Sequence, residues 1–177
     1  ASLATLDDAS FEKAVDTICN AKNIYILGKR SSNMLADFIN HYFRYIFDNV
    51  HLVSTNTTID MFEEVFRIDS NDVLIAISYP RYSKRTKIVA EFAKRRGATV
   101  IALTDSDIAP ITTFADIKLF ARSDMASFVD SLVAPLSIIN ALIVAIGRKK
   151  RLTLEKTFNE LEQIWDEYDV YEVPVRK

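Results

Sequence analysis

The stretch that most constrains the fold of this chain runs from Asp72 to Ala102, where the apolar period changes twice. Val73-Leu74-Ile75-Ala76-Ile77 is continuously apolar, which suits a strand covered on both faces of a parallel sheet. Ser78 to Ser83 then breaks the pattern with a proline, an arginine, two tyrosines and hydroxyls. From Lys84 the spacing turns helical, with Ile88, Val89, Phe92 and Ala93 on one face and Lys87, Glu91, Lys94 and Arg95 on the other. Gly97 ends that helix where a left-handed residue is wanted, and Thr99-Val100-Ile101-Ala102-Leu103 is a second apolar strand. This is a βαβ unit of about 30 residues. Its polar turn lies at the carboxyl end of a strand, where open parallel sheets bind ligands.

The flanking sequence repeats the alternation. Residues 1–23 form a helical lead: Ser10 is the expected N-cap, and Phe11, Val15, Ile18 and Cys19 the apolar stripe. Ile24-Tyr25-Ile26-Leu27 is the first strand and runs into Gly28. After a turn over Lys29 to Ser32, Met34, Leu35, Phe38, Ile39, Tyr42, Phe43 and Ile46 mark a long helix. Val50 to Val53 is a short strand, and Thr57 or Thr58 caps a helix through Val65. Beyond the central unit come a polar turn at Thr104-Asp105-Ser106-Asp107, a short helix limited by Pro110, and a fifth strand, Ile117 to Phe120. The spacing then predicts one long helix over Phe128 to Ile146, ended by Gly147. Its apolar residues are too many for one stripe, so the second side is expected to bury against another subunit. Thr153 to Tyr168 is a last amphipathic helix carrying Leu154, Phe158, Leu161, Ile164 and Trp165.

Five strands alternating with helices imply a single α/β domain, a three-layer αβα sandwich around a five-stranded parallel sheet, with an α/β core over 24–147 and a terminal helix over 151–168. The order 2-1-3-4-5 is the common doubly wound solution. At 177 residues and 49% hydrophobic content there is enough chain for one core. A net charge of -2 gives no reason to expect nucleic acid on this segment itself, and the basic run Arg148-Lys149-Lys150-Arg151 is expected to be a solvated corner complementing a helix C-terminus. The lone Cys19 cannot form an internal disulfide, which favours a reducing cytoplasm. No secretory leader is expected, and Leu132 to Ile146, interrupted by Pro135, Ser137 and Asn140, is shorter than the ~20 residues of a membrane span.

Three turns should gather at the carboxyl edge of the sheet: Gly28–Ser32, Ser78–Ser83 and Thr104–Ser106. Each joins a strand to a helix, so free helix N–H groups point toward a shared crevice. Hydroxyls of Ser31, Ser32, Ser78, Ser83 and Thr104 can donate to anion oxygens, while Lys29, Arg30, Arg81 and Lys84 add charge. Tyr79 and Tyr82 bracket Arg81 and either line the pocket or pack on the following helix. Asp130, beside Ser131 in an apolar helix, is expected to pair with a crevice residue. Serines and a glycine at strand ends also serve plain turns and N-caps, so both readings stand on residue type alone. His41 and His51 read as structural, and Glu63 and Glu64 as solvated helix residues. No His, Cys or carboxylate group has metal spacing, and no cofactor is expected.

The set Ile26-Leu27-Gly28…Ser32, Asp72-Val73…Ile77-Ser78, Ala93-Lys94…Gly97-Ala98…Val100-Ile101-Ala102-Leu103-Thr104 and Ala115-Asp116 resembles the sugar isomerase (SIS) domain. Ile77 to Ser83 and Ser127 to Leu136 resemble, more narrowly, the effector-binding domain of RpiR-family transcriptional regulators. That resemblance implies a non-catalytic, phosphosugar-binding domain, dimeric or of higher homo-oligomeric order. DNA would be bound only through a helix-turn-helix domain that precedes it in the family and is not in this chain. The implied ligand residues are Gly28, Lys29, Arg30, Ser31, Ser32, Ser78, Tyr79, Arg81, Tyr82, Ser83, Thr104, Asp130 and Ser131.

The chain departs from the family's pattern at Arg30 and Arg81, which stand where glycines belong, at Pro80 for a serine, and at Arg85 for a glutamate. Losing two glycines is expected to cost close backbone approach to a phosphate, and Pro80 one N–H donor. Side-chain binding by Arg30 and Arg81 is the expected replacement. An arginine cannot serve as the base that aldose–ketose isomerisation needs. The alternatives are a stand-alone isomerase of the hexuloisomerase kind and a dimerisation domain with a degenerate pocket.

Overall fold

The computed structural model describes residues 7–123, 125–126 and 128–172. Ser127 of the quoted motif and the first six residues of the helical lead lie outside the described residues. Strands β1 (Ile24–Gly28), β2 (Val50–Leu52), β3 (Val73–Ile77), β4 (Thr99–Thr104) and β5 (Ile117–Phe120) form one parallel sheet in the order β2-β1-β3-β4-β5. Helices α1 (Asp8–Asn20), α2 (Ser32–Phe43) and α5 (Val133–Lys149) pack on one face. Helices α3 (Thr58–Val65) and α4 (Lys84–Arg95) and a 3-10 turn (Pro110–Phe114) pack on the other.

The continuous apolar runs follow from this layering. Side chains alternate across a strand, so Ile24, Ile26, Val73, Ile75, Ile77, Ile101, Leu103, Ile117 and Leu119 enter the core beneath α1, α2 and α5. Tyr25, Leu27, Leu74, Ala76 and Val100 enter a second core beneath α3 and α4. Neither face of the central strands meets water.

Several expected boundaries shift for local reasons. The N-cap of α1 is Asp7, which accepts from the Ser10 backbone N–H at 3.1 Å, so Ser10 sits inside the first turn. Met34 and Tyr42 lie off the buried stripe of α2, which is Leu35, Ala36, Ile39 and Phe43. On α4 the buried stripe is Thr86, Val89, Ala90 and Ala93, and Ile88 is exposed. Gly97 does take the left-handed conformation, at φ 87.

The larger correction concerns the predicted helix from Phe128. Met125–Ala126 (β6) and Val129–Asp130 (β7) instead pair as an antiparallel hairpin, and α5 starts only at Val133. Pro135 explains the start point: proline is tolerated only in the first turn of a helix, where its missing N–H has no partner to lose. The far end is also later than expected. Gly147 is buried inside α5, close to Leu154 of α6 (Arg151–Glu167), which folds back against it.

Helix α6 has no buried residue. Tyr45 on the loop after α2 meets Phe158 with ring centroids 5.2 Å apart. The basic corner is solvated as expected, with Lys149 paired to Asp16 and Arg151 to Glu155. Among the described residues no helix is long and apolar enough to cross a membrane.

Candidate functional site

Because β1, β3 and β4 are neighbours in register, with Gly28 opposite Ile77, their carboxyl-end turns emerge side by side. Between the first two lies a cavity of about 170 Å³ lined by Lys29, Arg30, Ser31, Ser32, Ser78, Tyr79, Pro80, Arg81, Ser83 and Asp130. Nine of the thirteen residues proposed from sequence therefore meet in one pocket. Gly28, Tyr82, Thr104 and Ser131 stand outside its lining.

Both arginines keep the backbone that glycine would have taken. Arg30 has φ 59 and Arg81 φ 65, left-handed values that cost an ordinary residue about 1–2 kcal/mol. A left-handed backbone is thus present at both positions without glycine. Arg30 is followed by Ser31 in the right-handed helical region, and successive N–H groups in such alternation form an anion-binding concavity. The Asn33 N–H closes the turn onto the Arg30 carbonyl at 3.0 Å.

Around that backbone the side chains sort into donors and supports. Ser78 belongs to the pocket lining and is buried, and its hydroxyl has no hydrogen-bond partner among the described residues. Ser83 caps α4 by accepting from the Thr86 N–H at 3.3 Å, which leaves its own proton free to donate. Lys29 is more a support than a donor. Its ammonium gives hydrogen bonds to the carbonyls of Val53 and Thr55, at 3.1 and 2.5 Å, and so ties the β1 turn to the segment after β2. Burial draws this lysine below its ordinary range, with Glu64 opposing the shift.

The third turn braces the second. The Thr104 hydroxyl donates to the Ser78 carbonyl at 2.6 Å and is fully buried. Tyr82 donates to Asp105, with 2.9 and 3.1 Å to its two oxygens, which anchors the loop that carries Arg81. Burial, then Asp105, raises the Tyr82 phenol. Asp105 was missed as a site residue; an acid directly after a strand end beside a tyrosine-bearing loop is the signal that points to it. The Tyr79 ring packs into the core under α5, and burial pushes its phenol far up.

Asp130 reaches the pocket from β7, with its Oδ1 3.6 Å from Nη2 of Arg81. The expected pairing with a crevice residue is present, on a hairpin rather than a helix. Ser131 contributes its carbonyl to the Ser123 hydroxyl at 3.0 Å. Arg85 donates to the Asn56 carbonyl. His51 stacks on Tyr25 at 4.9 Å and His41 meets Tyr42 and Tyr45, so neither ring lines the pocket. Glu64 accepts from Thr55 at 3.1 Å.

Residues 17–145 match the family model of the SIS domain. The HTH-type transcriptional regulator HexR of Escherichia coli K12 is 29% identical over 168 residues, covering 90% of this chain and 57% of that protein. The chain spans about half the length of the curated relatives it matches. The sugar isomerase domain of the RpiR transcription factor from Sphaerobacter thermophilus superposes with a TM-score of 0.84 at 23% identity, over 91% of this chain and 89% of that one. The NanR protein of Vibrio vulnificus, solved with ManNAc-6P, superposes at 0.80 with 16% identity, over 94% of this chain and 63% of that one. The chain belongs to the SIS domain family, and its fold is that of the sugar isomerase domain of an RpiR transcription factor.

Proposed function

We propose that this domain binds a phosphorylated sugar, without turnover, as the sensing half of a transcriptional regulator whose helix-turn-helix domain contacts DNA. The observation that carries this reading is a pocket that gathers two left-handed turns, two arginines and Ser78, whose buried hydroxyl has no hydrogen-bond partner among the described residues. A buried hydroxyl without a partner costs about 1–3 kcal/mol, which a ligand oxygen recovers. Each charge-assisted hydrogen bond contributes roughly 1.5–3 kcal/mol. A few therefore reach the ~4–8 kcal/mol of a millimolar-to-micromolar site. The NanR complex with ManNAc-6P supports the ligand class, and the HTH-type relatives support the regulatory setting.

Binding without turnover follows from the residues available as a base. Arg85, at the family's glutamate position, is held by the Asn56 carbonyl. Among the described residues that line the pocket Asp130 is the one carboxylate, and no histidine stands beside it to share the proton transfers that interconversion requires. Calorimetric titration with a panel of sugar phosphates, followed by an aldose–ketose interconversion assay on the same samples, tests both halves. Saturable binding is expected, with about 2.7 kcal/mol of stabilisation at 100 times the dissociation constant. Measurable interconversion reassigns the domain to the isomerases.

A homodimer is part of the same reading. Tyr42, Tyr45, Ile143, Val144, Leu154 and Phe158 line an apolar groove where α2, α5 and α6 meet, and Val144 and Phe158 are exposed in the single chain. An apolar groove with exposed side chains on three helices suits a contact between two copies of the chain. Sedimentation equilibrium is expected to give a dimer that Val144→Glu dissociates by at least about tenfold, the cost of placing a charge in an apolar contact. A monomer at high micromolar concentration removes the dimer from the proposal.

A further inference from the structure

Asp130 is the one carboxylate among the described residues that line the pocket, whereas Lys29, Arg30 and Arg81 are cations. A carboxylate beside an anion site repels the guest and competes with it for Arg81. Its presence therefore calls for a compensating role. The ion pair it makes is loose: 3.6 Å is beyond direct hydrogen-bond length, and the Arg81 side chain is 54% exposed against 22% for Asp130. A phosphate monoester carries close to two charges and three acceptor oxygens, so it displaces a single carboxylate from that guanidinium.

The partners then separate along different elements. Arg81 belongs to the loop after β3, and Asp130 to a two-residue strand of the hairpin that precedes α5. Once Arg81 turns to the phosphate, Asp130 is left on the pocket wall as an acceptor without a donor. An ionised carboxylate only accepts hydrogen bonds. Sugar hydroxyls can satisfy it at several positions; the dianion of methyl phosphate has no proton to donate, and inorganic phosphate offers it only a P–OH that the phosphate's own charge sets against the carboxylate.

We infer that Asp130 is the specificity-determining residue of this pocket, reading hydroxyl groups on the carbon skeleton of a phosphate ester and disfavouring inorganic phosphate. The inference rests on the phosphosugar reading above and assigns one part of it to a single residue. A tether that only holds the hairpin down would affect every anion alike, whereas a reader of hydroxyls changes the ratio between ligands.

That ratio is the measurement. Dissociation constants of the intact chain are determined for inorganic phosphate, methyl phosphate, glucose 6-phosphate, fructose 6-phosphate and N-acetylmannosamine 6-phosphate, in the wild type, in Asp130→Asn and in Asp130→Ala. Both replacements are expected to tighten inorganic and methyl phosphate and to weaken the best sugar phosphate. The preference for the sugar phosphate then shrinks by about tenfold or more, the difference between charged and neutral hydrogen bonds. The second replacement keeps the test open if one variant folds poorly. Equal shifts for all ligands, an unchanged ratio, or a wild type that prefers no sugar phosphate over methyl phosphate overturn the role of Asp130. Binding of none of the five by the wild type overturns the phosphosugar reading itself, so the two failures are distinct.

Discussion

Gly28→Ala is expected to destabilise the domain by about 3 kcal/mol or more, at the upper end of the usual cost of overpacking. A Cβ at Gly28 would lie 2.3 Å from the carbonyl oxygen of Ser32, 2.8 Å from its carbonyl carbon and 3.3 Å from Cβ of Ala36. Two of these are backbone atoms in the first turn of α2, so no rotamer change relieves the clash. The helix itself must back away from β1, dragging Leu35, Ala36 and Ile39 out of the core beneath it. Urea denaturation should show the midpoint falling by about 1–3 M at an unchanged slope. Gly147→Ala is the matched control. Its Cβ would meet only Leu154 Cδ2, at 3.4 Å, so alanine there is expected to be neutral or stabilising by up to about 1 kcal/mol through its better helix propensity. Equal stability of the two variants would show that the close approach of α2 to β1 carries no weight.

The central architecture was legible because the relevant signals are local and repeated. Five apolar runs, each followed by a polar turn, leave a parallel sheet as the one arrangement that buries both faces, and the observed order β2-β1-β3-β4-β5 agrees. The hairpin before α5 was not legible for the opposite reason. Val129, Leu132, Val133 and Leu136 satisfy helical spacing by themselves, and only the Arg81 partner in a distant turn and the first-turn position of Pro135 reveal a break. The one-step errors at Ile88 and Met34 come from helix faces whose exact rotation is set by packing rather than by composition.

In the site, hydroxyls and cations at strand ends identified the pocket, but their division of labour depends on tertiary hydrogen bonds. Thr104 and Tyr82 carry the right groups and direct them at Ser78 and Asp105, bracing the loop instead of facing the cavity. Lys29 directs two of its bonds at carbonyls beyond β2. The left-handed backbone of Arg30 and Arg81 was the least visible feature. Arginine gives no hint of positive φ; at Arg30 the turn closes through the Asn33 N–H, and at Arg81 the loop is anchored by Tyr82 on Asp105.

That backbone leads to the second large effect. Arg81→Gly is expected to leave stability unchanged or raise it slightly while weakening sugar-phosphate binding by about 10–100-fold, the loss of one charge-assisted hydrogen bond. Glycine removes the left-handed strain of about 1–2 kcal/mol. It gives back about 0.4–1 kcal/mol through the greater freedom of the unfolded chain. The lost Arg81–Asp130 pair, half exposed, subtracts roughly 0–1 kcal/mol. The three nearly cancel, so a melting curve should barely move while a titration changes greatly. Arg81→Lys keeps the charge and the strain but not the planar fork, and intermediate affinity is expected. Arg30→Gly should behave like Arg81→Gly. A strained arginine retained at a position that glycine would fill without cost is the pattern of a residue held for binding. If Arg81→Gly instead bound sugar phosphates as tightly as the wild type, the N–H groups of the turn would be holding the phosphate unaided, and the guanidinium would have no part in the site.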